Sequence, residues 1–350
     1  MDIKDYRIQI DRIDKELLAL LEERFDVSEA IGAWKREQGL PVLDAKREKE
    51  KIRDMELAAD KAKSKYIVEI LKSIMAESRN YQAAQGPAYG VLGRKLPHTF
   101  SPQLHAEFGD YEYGVIEKEP EELEAYMTGG SFRGINVTIP YKKDVIPYCH
   151  ELSDIARATG SVNTIYIGDK GKLIGDNTDY YGFCYMIKRA GIKVVGKKAL
   201  ILGSGGVSGT VHKALKDLGA REIVIISRTG ENNYENIDRH SDAEIIVNTT
   251  PVGMFPDAGR SVIKVKDFPK LEGLADLIYN PIRTKLVRDA EKAGIKAIGG
   301  LSMLAAQGAK ASSHFGGRQI SEAEIEAVTR KLESDNGNIV IIGMPGAGKT

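Results

Sequence analysis

Apolar positions in the first eighty residues recur at helical spacing. Ile10, Ile13, Leu17, Leu20, Leu21, Phe25 and Ile31 follow three- and four-residue steps, and neither Pro nor Gly interrupts before Gly32. The pattern predicts one long amphipathic helix from Ile3, ended by the turn Gly39-Leu40-Pro41, with two more helices over about 44–59 and 65–83. Three helices, one of them very long, cannot bury that stripe alone, so partnering into a helical dimer is expected. At Gln85-Gly86-Pro87 the pattern changes. Short β-rich runs at 89–92, 134–139, 199–202, 223–226, 245–248 and 275–278 alternate with helical stretches, which predicts a parallel α/β sheet. A closing helix follows at 321–332, then a polar linker at 334–338 and a further strand at 339–342.

Composition narrows the class. The 350 residues exceed what one core usually organises, so two or three domains are expected. Fifty basic residues cancel fifty acidic ones, leaving no field to hold a polyanion or an acidic membrane, and nucleic acid is not an expected partner. The start, Met1-Asp2-Ile3-Lys4-Asp5, lacks a secretory pattern, and no apolar run is long enough to span a membrane. Cys149 and Cys184 are too few for a disulfide framework and lack metal-ligand spacing, so a reducing cytoplasm and no metal are expected.

The run at 199–202 leads into Gly203-Ser204-Gly205-Gly206-Val207-Ser208 and then a helical segment. Small residues there let backbone amides and a helix N-terminus approach a pyrophosphate, although a tight strand-to-helix turn alone would read the same way. The next strand ends in Ser227-Arg228-Thr229, where an NAD site would usually place Asp or Glu. A guanidinium between two hydroxyls suits a 2′-phosphate, so NADP is the expected cofactor.

Three polar clusters precede this turn: His98-Thr99-Phe100-Ser101-Pro102, Asn136-Val137-Thr138-Ile139-Pro140-Tyr141-Lys142 and Gly175-Asp176-Asn177-Thr178-Asp179, with Asn163-Thr164 between the last two. Hydroxyls and amides can orient a carboxylate and ring hydroxyls, while a Lys and an Asp can share proton transfer to a carbonyl as hydride arrives. Singly, Lys142 could be a solvated cation and Asp179 a helix cap. With Asn248-Thr249-Thr250-Pro251-Val252-Gly253-Met254, Tyr279-Asn280-Pro281 and the segment from Gly299-Gly300-Leu301 to Gln307, the ordered clusters resemble the shikimate dehydrogenase family. The resemblance implies reversible NADPH-dependent reduction of 3-dehydroshikimate to shikimate, with quinate as an alternative substrate. It makes Lys142 and Asp179 the catalytic pair and places Thr99, Ser101, Thr138, Asn163, Tyr279 and Gln307 around the substrate. It puts Gly203 to Ser208, Ser227, Arg228, Thr229, Thr250 and Gly300 around NADP. The chain departs from the family pattern at Thr99, Tyr141 and Ser227.

Arg24 and Lys35, 11 positions apart, share one face of the first helix. Asp44, Arg47 and Glu48 cluster on the second helix, and Ser78 and Gln82 on the third. Arg7 is rotated roughly 100° from Arg24 and could face a partner chain. A solvated charged surface fits this spacing equally well. With Asp14, Leu17-Leu18, Gly32 and Pro41-Val42, these residues resemble the all-helical chorismate mutase family, which rearranges chorismate to prephenate in an intertwined homodimer. The resemblance implies that Arg7 of the other subunit, Arg24 and Arg47 hold carboxylates. Lys35 and Gln82 would face the ether oxygen, Asp44 and Glu48 the hydroxyl side, with Ser78 also at the substrate. A non-catalytic sensing or dimerising module is the alternative. Finally, Gly343-Met344-Pro345-Gly346-Ala347-Gly348-Lys349-Thr350 fits a P-loop and resembles the opening of shikimate kinase, which is expected to be a truncated third domain.

The expected architecture is therefore multidomain. An all-α domain at 1–85 precedes an α/β dehydrogenase, whose substrate domain spans 88–179 and 300–334 and whose Rossmann domain spans 180–299. The kinase-like start occupies 338–350. Small-molecule substrates are the expected ligands.

Overall fold

The computed structural model describes residues 2–37, 44–84, 87–97, 99–129 and 132–335. The kinase-like segment 338–350, the turn at 39–41 and His98 lie outside them. The described residues divide into two compact units, one within Met1–Ala88 and Glu121–Phe132, the other within Tyr89–Pro120 and Arg133–Thr350.

In the first unit, α1 (Ile3–Glu37), α2 (Ala45–Ala58) and α3 (Ser64–Ala84) fall close to the expected spans. The 35 residues of α1 run about 50 Å at ~1.5 Å per residue. The C-terminal part of α1 meets α3: the Phe25 and Tyr81 rings pack edge to face at 5.2 Å, and the Tyr81 hydroxyl donates to Glu29 at 3.2 Å. Its N-terminal part keeps the apolar stripe in the open, with Ile10 58% and Leu20 63% exposed. Asp44 is the N-cap of α2 rather than its first helical residue. Its carboxylate accepts the Arg47 amide at 3.0 Å, satisfying a donor that the first turn leaves free. The short α5 (Leu123–Thr128) is counted in this unit.

The second unit holds two sheets among the described residues. The first is built from β1 (Tyr89–Gly93), β2 (Tyr113–Glu117), β3 (Gly134–Val137), β4 (Glu151–Leu152), β5 (Thr164–Ile167) and β6 (Leu173–Asp176), in the order β2-β1-β3-β5-β6-β4. Only part of it is parallel: β5 runs antiparallel to both β3 and β6. This corrects the expected parallel sheet, because β5 and β6 are joined by a short connection that returns the chain directly, whereas a parallel pair needs a long crossover. The second sheet, β7 (Lys198–Leu202), β8 (Glu222–Ile226), β9 (Ile245–Asn248), β10 (Gly273–Asp276) and β11 (Lys296–Ile298), is wholly parallel in the order β11-β10-β9-β7-β8. All of β7 and β9 is buried, as their unbroken apolar runs require of strands covered on both faces. The order reverses between β7 and β9, and in open α/β sheets that switch point is where a ligand crevice opens.

Helices α4 (Ser101–Phe108), α6 (Asp154–Thr159), α7 (Thr178–Arg189), α8 (Ser208–Asp217), α9 (Lys285–Lys292), α10 (Leu301–Gly316) and α11 (Glu322–Asp335) cover the sheets. Close crossing of α7 and α10 depends on Gly182, where a Cβ would sit 2.6 Å from the Met303 carbonyl. That approach brings Asp179 and Gln307 to one region. Among the described residues no helix is long and apolar enough to cross a membrane.

Candidate active site

Lys142 follows the end of β3. It is held on both sides: the buried Tyr141 donates its hydroxyl to the Lys118 carbonyl at 2.5 Å, and the Lys142 carbonyl accepts the Val162 amide at 2.8 Å. Asp179 lies in the first turn of α7, where the helix dipole favours a carboxylate. The two side chains meet, Lys142 Nζ to Asp179 Oδ2 at 2.6 Å, each mostly shielded from water.

The start of α7 is fixed from the sheet. Buried Asn163 accepts the Thr178 amide at 2.7 Å through Oδ1, and the same atom takes the Thr164 hydroxyl at 3.1 Å. Thr178 Oγ1 lies 3.5 Å from Gln307 Oε1, tying α7 to α10. Thr99 donates its hydroxyl to Ser101 Oγ at 3.1 Å at the start of α4. Thr138 donates its amide to the Leu92 carbonyl at 2.9 Å just beyond β3. The Tyr279 ring packs edge to face on Phe100 at 5.6 Å, and burial raises its hydroxyl pKa.

Several residues in this network were given no role by sequence reasoning. Tyr113 on β2 stacks on His105 at 3.9 Å, donates to Asn136 Oδ1 at 2.7 Å and is hydrogen-bonded with Ser101. Asn136 in turn donates to Thr164 Oγ1 at 3.0 Å. Asn136 and Thr164 stood inside the polar clusters, so their residue types were a usable signal. Tyr113 lay in a strand that the sequence pattern did not reveal.

The glycine-rich turn lies at the switch point. Gly203 has φ +105°, a conformation that disfavours any side chain, and directly follows β7. Where Gly205 and Gly206 would carry Cβ atoms there is open space within 4 Å, so the exposed turn can receive a bulky group against its backbone. Val207 is the N-cap of α8. Ser208, in place of a third glycine, turns its hydroxyl back onto the Gly205 carbonyl at 2.7 Å. Ser204, Arg228 and Thr229 are exposed, and Ser227 is half-buried at the end of β8. Thr250 donates amide and hydroxyl to Asn248 Oδ1, at 3.0 and 2.7 Å. Gly300 has a packing reason of its own, since a Cβ there would stand 2.1 Å from the Leu277 carbonyl. These residues fit a dinucleotide. Among the described residues no group of three or more His, Cys, Asp or Glu side chains could hold a metal ion.

Residues 6–83 match the family model of chorismate mutase type II, and residues 91–165 match that of the shikimate dehydrogenase substrate binding domain. A shikimate dehydrogenase (NADP(+)) of Clostridium perfringens is 35% identical over 267 residues, 70% of this chain and 98% of that relative. The chain belongs to the shikimate dehydrogenase family. Of solved structures, this dehydrogenase resembles a chorismate mutase/shikimate 5-dehydrogenase fusion protein from Clostridium acetobutylicum, with TM-score 0.68 and 32% identity over 71% of this chain and 98% of that one. It also resembles a shikimate 5-dehydrogenase from Thermus thermophilus in complex with NADP(H) and shikimate, with TM-score 0.63 and 31% identity over 69% of this chain and 98% of that one.

The helical unit of this dehydrogenase gathers some of its candidate residues and not others. Arg24 Nη1 donates to the buried Ser78 hydroxyl and lies 3.5 Å from the Ile74 carbonyl. Glu48 meets Arg79, a residue the sequence analysis passed over, at 2.5 Å. Asp44 and Arg47 join through the cap of α2. Arg7 is exposed near the start of α1, and Lys35 is half-buried near its end. Gln82 lies in α3, but its side chain is outside the described residues.

Proposed function

We propose that the chain catalyses the reversible NADPH-dependent reduction of 3-dehydroshikimate to shikimate, and that its helical unit rearranges chorismate to prephenate. The Lys142–Asp179 pair carries the first reading: a shielded ammonium held 2.6 Å from a carboxylate, beside hydroxyls and amides fit to orient a small polar ring. Bound NADPH supplies the hydride to the ketone carbon. Lys142 donates a proton to the carbonyl oxygen as negative charge develops there, and recovers it from solvent. Asp179 keeps the ammonium aimed and accepts from the neighbouring substrate hydroxyl. Thr99 and Ser101 take the carboxylate, with Thr138, Asn163, Tyr279 and Gln307 completing the pocket. Within the dehydrogenase, residues 88–179 with 300–334 form the substrate domain and 180–299 the nucleotide domain.

On the nucleotide side, the turn from Gly203 to Ser208 and the start of α8 take the pyrophosphate. Arg228, flanked by Ser227 and Thr229, takes the 2′-phosphate and thereby selects NADP over NAD. Thr250 and Gly300 line the same crevice. One paired assay tests both activities: NADP reduction with shikimate against quinate, and chorismate consumption by the same preparation. Turnover of quinate without shikimate overturns the substrate assignment.

For the mutase, the open face of α1 supports pairing of two chains, because Ile10, Ile13, Leu17 and Leu20 stay exposed in one chain. In the pair the partner subunit's Arg7 joins Arg24 and Arg47 on the carboxylates of a folded dicarboxylate. Lys35 and Gln82 then stabilise negative charge on the ether oxygen as its bond breaks, and Asp44 and Glu48 hold the hydroxyl. Lys35→Ala decides between catalysis and sensing. An orders-of-magnitude loss of mutase activity is expected, and a parent protein with no mutase activity to lose overturns the reading.

A further inference from the structure

Asp276, the last residue of β10, has no exposed surface, and the proposed reaction does not use it. Its carboxylate accepts three hydrogen bonds. Asn248 Nδ2 at 2.9 Å and the Ile278 amide at 3.2 Å reach Oδ1, and the Thr284 hydroxyl at 2.6 Å reaches Oδ2. Each donor comes from a different segment: the end of β9, the stretch after β10 and the cap of α9. Asn248 ends β9 and accepts both the amide and the hydroxyl of Thr250, which packs its methyl where Gly203 has no Cβ. Ile278 is the residue before Tyr279. Thr284 caps α9 by accepting the Val287 amide at 3.3 Å.

An amide side chain presents a donor on one side and an acceptor on the other, whereas an ionised carboxylate only accepts. Asp276 therefore fixes which way Asn248 points: Nδ2 inward to the carboxylate, Oδ1 outward to Thr250. Reversed, Asn248 would turn an NH2 group toward the two Thr250 donors and leave buried groups unsatisfied. The same carboxylate pins the amide next to Tyr279.

From this geometry we infer that Asp276 is a positioning residue for the dehydrogenase, one buried carboxylate that sets the cofactor-side loop through Asn248 and Thr250 and the substrate-side Tyr279 through Ile278. The inference rests on the dehydrogenase reading, and three substitutions separate its arms. Asp276→Asn keeps the shape but offers Asn248 a donor as readily as an acceptor. KM for NADPH and for the ring acid should both rise by about tenfold, the equivalent of one lost hydrogen bond of about 1.4 kcal/mol, with kcat changed far less. Asn248→Ala leaves the Ile278 and Thr284 bonds intact, so it should raise the NADPH value alone. Thr284→Val removes a helix cap and one of the three bonds to the carboxylate but keeps those of Asn248 and Ile278, so it should lower Tm while changing both KM values far less than Asp276→Asn does.

Direct calorimetric titration with NADPH and with shikimate reads the same three effects without turnover. A parent protein that binds both but does not turn over would sink the dehydrogenase reading while still testing this one. Unchanged affinities in both Asp276→Asn and Asn248→Ala, or equal weakening of both ligands in all three variants, would overturn the positioning role. If Asp276→Asn fails to fold, Asn248→Ala alone decides, through selective or unselective loss of NADPH.

Discussion

Lys142 and Asp179 stand 37 positions apart in the chain and 2.6 Å apart in space, one beyond the end of β3 and the other in the first turn of α7. Asn163 and Thr178 hold the helix end in place, which fixes Asp179 against Lys142. Lys142→Ala should lower kcat by about 10²–10⁴, the usual worth of a positioned proton donor, with NADPH affinity unchanged. Near-normal turnover in that variant would remove Lys142 from the reaction.

Arg228 is exposed at the end of β8, where a 2′-phosphate would be recognised without help from burial. Arg228→Ala should weaken NADP by about tenfold or more while leaving NAD use nearly unaltered, so the ratio of the two kcat/KM values reports its role. Equal loss with both cofactors would assign Arg228 to general electrostatics instead.

Ile13, at 51% exposure, lies in the middle of the open stripe of α1. Ile13→Glu puts a charge on that face. The expected result is a monomer by analytical ultracentrifugation that has lost mutase activity and kept its dehydrogenase activity. A variant that remains paired, or a monomeric parent protein, contradicts the dimer.

His105 is 1% exposed, and burial pushes its pKa down to about 3, opposed weakly by a hydrogen bond with Asn136. An unfolded chain takes up that proton near pH 6.5. Below that pH the unfolded state holds one proton more than the folded state, so stability falls as pH falls, by up to about 1.4 kcal/mol per unit. Between pH 6.5 and 5, before most carboxylates titrate, His105→Gln should flatten the dependence of the urea midpoint for loss of dehydrogenase activity. An identical slope in parent and variant would show that this histidine is not the source.

The sequence by itself determined most of the elements and the chemistry available to them. Periodicity over long windows located α1 and α3 within a residue or two. The buried strands β7 and β9 were legible because strands covered on both faces are continuously apolar. The glycine turn between β7 and α8 was legible because a tight strand-to-helix turn with positive φ calls for glycine. The strands β5 and β6 were not, since a run such as Leu173–Asp176, two apolar residues followed by Gly and Asp, lacks the continuous apolar pattern that marked β9. Tertiary structure alone decided the rest. The antiparallel return of β5 and β6 brings Asn163 beside Thr178, and β9 beside β10 brings Asn248 within reach of Asp276. The reason is range: helical and strand periodicity report only a residue's near neighbours, whereas a carboxylate's function depends on which donors a distant register places around it.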